Sequence, residues 1–238
     1  MVSRGWRPKR VKNRLSSTRS CPLARQRVVS LFRLIPCMLS VSAFAADIPL
    51  DALLQRVEDR YNHAKTLQVL FTEQYTPSGS IRRTESGQLT LRKPGRMRWD
   101  YAQPKGKLWI SDGKYVWMYS PADNKAEKIK FKESEDYRAP LAFLLGKLNF
   151  NKEFRNLRAR PEGIDTRITA EPKTDNLPYS EVEFVVTPLS QIREVKVIGF
   201  DRSTYDFTFD QEKIDLPLDA RLFQFQTPPG VPLEEATP

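Results

Sequence analysis

Only two cysteines occur in the 238 residues, Cys21 and Cys37, and both precede Asp47. The rest of the chain therefore excludes structural disulfides, thiolate metal sites and a cysteine nucleophile. There is one histidine, His63, and no nucleophile motif accompanies it. It reads as a surface or helix-end residue rather than a base. The sequence contains no Gly-rich phosphate loop, no HExxH and no G-x-S-x-G elbow, so the common signatures of nucleotide, zinc-protease and hydrolase chemistry are missing. The acidic run Glu133, Glu135, Asp136 lacks the spacing of an acid–base pair and reads as a solvated loop. No catalytic residue, metal ligand or cofactor is expected, and the chain is not expected to be an enzyme.

The body of the chain also lacks an excess of charge. The formal net charge is +10, yet ten of the 39 basic residues precede Asp47, where no acidic residue occurs. The 29 that remain equal the 29 acidic residues of the chain. A basic balance would have pointed to nucleic acid or an anionic surface; this one gives no reason to expect a nucleic-acid partner. No segment approaches the 18 or so consecutive apolar residues of a membrane-spanning helix.

The basic N-terminus runs into an apolar stretch from Leu34 to Ala46 containing Ala43-Phe44-Ala45. This order of basic, apolar and A-x-A segments predicts a secretory signal sequence over residues 1–45, cleaved after Ala45. Its basic part is long, which true initiation near Val28 or Val29 would explain. Leu34-Ile35-Pro36-Cys37 resembles a lipidation box only superficially, since Pro36 stands where a small residue is required. Residues 46–238 are expected to form a single domain, of a size that buries a substantial core.

What the chain does have is alternation. Ile48 to Tyr61 places Leu50, Leu53, Leu54, Val57 and Tyr61 on one face of a helix, with Asp47 as its expected cap. Strand patterns follow near 68–75, 87–92, 96–102, 107–111, 114–119, 126–132, 166–171, 180–187, 192–199, 204–210 and 221–226. Lys93-Pro94-Gly95-Arg96 and Asp112-Gly113 read as tight turns. Met97, Trp99 and Tyr101 share one side of a strand, as do Tyr115, Trp117 and Tyr119. Tyr137 to Phe150 (YRAPLAFLLGKLNF) breaks the strand pattern and predicts a short helical cover opened by Pro140. Pro232 to Pro238 reads as a frayed tail. The fold class expected is mainly β with helical cover, an incomplete, half-open antiparallel barrel of roughly eleven strands.

The string SGQLTLRKPGRMRWDY, followed by SDGKYVWMYSP, resembles the LolA family of periplasmic outer-membrane lipoprotein carriers. Leu67 to Gln74 (LQVLFTEQ) and the segment beginning Phe223-Gln-Phe-Gln-Thr-Pro-Pro-Gly resemble the first strand and the closing segment of that family, so the likeness covers about residues 47–233. The resemblance implies a soluble periplasmic chaperone, acting as a monomer, that takes lipoproteins from an inner-membrane ABC-type releasing complex to an outer-membrane acceptor. It also implies an apolar cavity for acyl chains. The residues expected to line it are Leu89, Leu91, Met97, Trp99, Leu108, Ile110, Phe207 and Phe209, with Leu141, Phe143 and Leu144 from the lid. Tyr115, Trp117 and Tyr119 are a rival set, because the pattern does not say which sheet face is inward.

In the family an arginine before the proline of the first turn latches the lid through backbone hydrogen bonds. Lys93 stands there in this chain, beside Arg92. Lysine is a compact ammonium rather than a planar fork, while Arg92 is displaced by one residue and so turned to the other face. Three readings are open: the latch is weaker here, Arg92, Arg96 or Arg98 substitutes, or the four basic residues of Arg92 to Arg98 form a solvated face. Two rival functions share this fold: a carrier of another amphiphile, such as a glycolipid or phospholipid, and a lipoprotein-binding acceptor or sensor domain.

Overall fold

Apolar residues at helical spacing between Leu50 and Tyr61 produce helix α1, Leu50–His63, as the computed structural model of the chain shows. The structure describes residues 49–78, 82–131, 141, 148–174 and 177–235. Pro49 occupies the N-cap position with no side-chain cap; Asp47, the expected cap, lies outside the described residues. Leu53, Leu54, Val57 and Tyr61 form the buried stripe. No helix among the described residues is long and apolar enough to cross a membrane.

Among the described residues, twelve strands follow in one sheet. They are β1 (Thr66–Thr76), β2 (Arg83–Arg92), β3 (Arg96–Gln103), β4 (Leu108–Asp112), β5 (Tyr115–Ser120) and β6 (Lys125–Lys130), then β7 (Phe154–Glu162), β8 (Asp165–Pro172), β9 (Tyr179–Val186), β10 (Ile192–Gly199), β11 (Thr204–Ile214) and β12 (Leu233–Glu235). Their order is β12-β6-β5-β4-β3-β2-β1-β11-β10-β9-β8-β7. The two ends of this order do not pair, so the sheet is open rather than a closed barrel. All pairs are antiparallel except β12 with β6. Two meanders, β1–β6 and β7–β11, are joined where β11 returns to pair with β1. A short helix, α2 (Phe150–Glu153), precedes β7.

Three local expectations are corrected. The segment near 221–226 is not a strand: Ala220–Phe223 is a 3-10 turn capped by the Asp219 side chain, which accepts from Arg221 N. Its alternation is real, since Phe223 is buried and Phe225 stacks on Trp117, but the backbone has no strand to pair with. Strand β7 escaped detection because Arg155, Asn156, Arg158, Ala159 and Arg160 are all exposed. An edge strand with a bulge and Pro161 loses the apolar alternation that marks an interior strand. The tail does not fray at Leu233–Glu235, where β12 pairs with β6 and Glu234 and Glu235 meet Lys125 and Lys128 at 2.7 and 2.8 Å.

Directly opposed residues in a sheet point to the same side, so the register separates two faces. One carries Leu89, Trp99, Trp109 and Met118 in line across β2 to β5, with Leu91, Met97, Ser111 and Val116 in the next row. Across β1 and β11 the same face continues through Val69, Phe71 and Phe209. Helix α1 packs into this inner cluster. The other face carries Arg98, Ile110 and Trp117 in line. The C-terminal segment crosses that outer face, with its 3-10 turn against β3 and β4.

Candidate functional site

The inner face is built from large apolar side chains in close contact. The Phe71 ring meets Trp99 edge-on at 4.7 Å and Tyr101 at 5.1 Å, and Phe207 lies 5.9 Å from Trp99. Leu89, Leu91, Met97, Trp99, Phe207 and Phe209 are all buried on it. Six of the eight cavity residues expected from sequence are thus brought together on one side.

Leu108 and Ile110 are not. They align with Asp100 and Arg98 on the outer face, and Ile110 stands apart from the inner cluster. The cause is the strand period of two: Trp109, between them, takes the inner position. Tyr115, Trp117 and Tyr119 share that outer side, so the rival lining set belongs to the surface crossed by the C-terminal segment. Of the expected lid, Leu141 is helical and fully buried, while Phe143 and Leu144 lie outside the described residues.

Helix α1 covers the inner face, and a small number of polar contacts hold it there. The Lys93 ammonium, on the β2–β3 turn, donates to the carbonyl of Tyr61 and, at 3.2 Å, to that of Asn62. These are terminal carbonyls of α1 with no partner inside the helix, and a cation is favoured at that end. Burial pushes the Lys93 amine below its ordinary range, with Asp215 opposing. Asn62 Nδ2 donates to Leu148 O at 2.8 Å while Leu148 N donates to Asn62 Oδ1 at 2.6 Å. Phe150 N donates to Glu58 Oε1 at 2.7 Å. The helix is therefore stitched to Leu148 and Phe150, at the C-terminal end of the expected cover.

A second anchor joins α1 to β11. Arg60 pairs with Glu212, and the Tyr61 hydroxyl donates to Glu212 Oε2 at 2.6 Å while accepting from Ile192 N at 2.9 Å. Burial first, and then Glu212, push the Tyr61 phenol far above its ordinary range, so it remains a donor. Sequence reading missed Glu58, Asn62, Arg60 and Glu212, because their partners are distant along the chain. The one signal was a tyrosine closing an otherwise aliphatic stripe, since a buried hydroxyl needs a partner.

Arg92 and Arg98 do not share the Lys93 role. Arg92 Nη1 donates to Leu218 O at 3.3 Å. Arg98 grips Asp100 with two bonds of 2.7 Å and donates to Leu222 O at 3.0 Å. Both hold the C-terminal segment to the outer face. His63 ends α1, its Nδ1 2.7 Å from Asp59 O.

The family described as outer membrane lipoprotein carrier protein LolA matches residues 62–226. An outer-membrane lipoprotein carrier protein of Pseudomonas aeruginosa is 28% identical over 195 residues, covering 81% of this chain and 92% of its own. One from Proteus mirabilis is 26% identical over 182 residues, covering 76% and 87%. Among solved structures, a LolA superfamily protein of Nitrosomonas europaea is 9% identical, covers 74% of this chain and 97% of its own, and superposes with a TM-score of 0.44. With a match that takes in most of its length, the chain belongs to the LolA family of outer membrane lipoprotein carrier proteins.

Proposed function

We propose that this chain is a soluble periplasmic chaperone that shields the acyl chains of lipoproteins. It would receive them from an inner-membrane ABC-type releasing complex and pass them to an outer-membrane acceptor. Each CH₂ of an acyl chain gains about 0.8 kcal/mol by leaving water, so such cargo needs an apolar host to cross an aqueous compartment. The observation that carries the reading is the continuous inner apolar face beneath a helix held by a few polar contacts. The names of the Pseudomonas and Proteus relatives support it. Its largest members, Trp99 and Phe207, are packed by the protein's own side chains. Loading would therefore displace α1 and its stripe, and the free energy regained on closing would offset cargo affinity enough to permit delivery. The protein itself supplies no chemical energy in this scheme.

Native mass spectrometry with lipid extraction on protein purified gently from periplasm tests the reading. Co-purifying lipoproteins are the expected result. Bound phospholipid or glycolipid alone would transfer the function to carriage of another amphiphile.

A further inference from the structure

Among the described residues, the three most exposed large apolar side chains each sit in a hairpin turn: Ile164 is 84% exposed, Leu189 74% and Phe200 69%. Two of them share one end of the sheet. Thr166 is aligned with Val186, so the β7–β8 turn that carries Ile164 and the β9–β10 turn that carries Leu189 stand side by side. Phe200, in the β10–β11 turn, lies at the opposite end. A defined turn holds Leu189 out. Ser190 N donates to Thr187 O at 2.8 Å, Thr187 N donates to Gln191 O at 2.9 Å, and Ser190 takes a left-handed φ of 61°. Keeping a large aliphatic in water forgoes the free energy of burying it, and two adjoining tips do so here.

The charges at this end are positive on balance. Arg160 is exposed and the Arg193 side chain partly so. The acids next to Ile164 are already paired, Glu162 with Arg167 and Asp165 with Arg193 at 2.6 Å. The same end carries the C-terminus of α1 and the β2–β3 turn, since Leu67 aligns with Ile214 and Thr66 with Arg92. Across that turn and the adjoining β4–β5 turn, the cations Arg92, Lys93, Arg96 and Lys114 accompany one acid, Asp112. Lys65 and Asp215 add one charge of each sign. A chain body with no net excess of charge thus gathers cations at the end where the two aliphatic tips project.

We propose that this end of the sheet docks reversibly on an anionic lipid bilayer, with Ile164 and Leu189 inserted among the head groups. A protein partner selects a continuous apolar patch. Here the aliphatics stand singly on separate tips, between charged neighbours. That arrangement suits a lipid surface: the tips enter the head-group layer, and the surrounding cations stay at its phosphates, drawn by its negative potential. Two side chains bury far less apolar surface than a lipid anchor, so the contact is transient. The inference goes beyond the carriage of lipoproteins and does not depend on it. It would bring the C-terminal end of α1, where Lys93 holds the helix, to the membrane surface.

Sedimentation of the purified protein with lipid vesicles tests this. One set of vesicles contains phosphatidylethanolamine and phosphatidylglycerol, the other phosphatidylcholine alone. The native protein is expected to bind the anionic set, and to bind the zwitterionic set several-fold less well; raising the salt concentration is expected to weaken the anionic binding. Ile164→Ser combined with Leu189→Ser is expected to lower binding to the anionic vesicles about tenfold. Phe200→Ser, an equally exposed position at the far end, is expected to leave it unchanged. Both tips are in water in the free protein, so the double variant is expected to melt at the native temperature. A nitroxide-bearing lipid in the vesicles is expected to broaden the methyl resonances of Ile164 and Leu189. Native-level binding by the double variant, or an equal loss in Phe200→Ser, overturns the proposal. Absence of native binding to the anionic vesicles overturns it too, and a loss of cargo uptake by the double variant would then assign the tips to a protein partner. Each of these results leaves the carrier reading intact.

Discussion

Lys93→Leu is expected to tighten cargo binding about tenfold and to slow hand-over in proportion. The substitution removes the donor shared by the Tyr61 and Asn62 carbonyls at the end of α1, and leucine supplies none. Charge-assisted bonds are worth about 1.5–3 kcal/mol each when buried. Lys93 is only half-buried and its site faces an open cleft, so screening reduces the pair to about 1.5 kcal/mol in all. If loading requires α1 to move, the apparent dissociation constant equals the intrinsic one divided by the fraction of protein in the open form. Loosening the helix raises that fraction about tenfold, since 1.4 kcal/mol is a factor of ten. The variant would load readily and release poorly, a separation that general loss of folding does not produce. Lys93→Arg, which keeps a cation and adds donors, is expected to hand cargo over at close to the native rate. Lipopeptide titration together with timed transfer to acceptor-bearing vesicles measures both quantities. Native affinity and native transfer by Lys93→Leu would remove Lys93 from the mechanism.

Gly87→Ala is expected to be the most damaging single-methyl change in the sheet. Gly87 pairs with Phe71 on one side and Tyr101 on the other, at a register shift in the β2–β3 ladder. A Cβ built there would lie 2.0 Å from Asp100 O and 2.8 Å from Tyr101 Cα. Both are backbone atoms, which cannot swing aside as a side chain would. Strand β3 must move, and with it the Phe71–Tyr101 and Phe71–Trp99 contacts at the centre of the inner face. Overpacking a well-filled core costs about 1–3 kcal/mol, and a backbone clash belongs at the upper end. A loss of about 3 kcal/mol corresponds to a fall of about 6–12 °C in the melting temperature of a domain this size. Thermal unfolding followed by circular dichroism measures it. A change of less than 2 °C would mean that β2 and β3 adjust freely, and that the inner face is softer than its packing indicates.

How much of this was legible in the sequence depends on the range of the interaction. Helix α1 and the strands β1 to β5 could be read because their burial follows a local period of 3.6 or 2. Leu89, Leu91, Met97 and Trp99 were placed together because they alternate on adjoining strands whose turn, at Lys93 to Arg96, is short and well marked. Leu108 and Ile110 were misassigned because their strand has apolar residues on both sides: Trp109 faces the core and Ile110 faces the C-terminal segment. Nothing local distinguishes those two faces. Strand β7 lies at an edge and β12 adds only three residues, so neither carries a periodic signal. Lys93 stands where family resemblance implies a lid latch, but among the described residues its bonds go to the carbonyls at the end of α1. The anchors Arg60–Glu212 and Asn62–Leu148 join residues 152 and 86 positions apart. They exist only because β11 and the segment at 148–150 arrive beside the helix end.

The central claim is that acyl chains occupy the inner face beneath α1. A photoreactive phenylalanine derivative placed at Met118 tests it most directly, with the same residue at Tyr115 as control. The two positions share strand β5 but point to opposite sides. Met118 is aligned with Trp109 on the inner face, while Tyr115 is 36% exposed on the outer one. The account predicts that Met118 cross-links to the acyl chains of a bound triacylated lipopeptide and that Tyr115 does not. Cross-linking from Tyr115 and not from Met118 would place the cargo on the face crossed by the C-terminal segment and contradict the account.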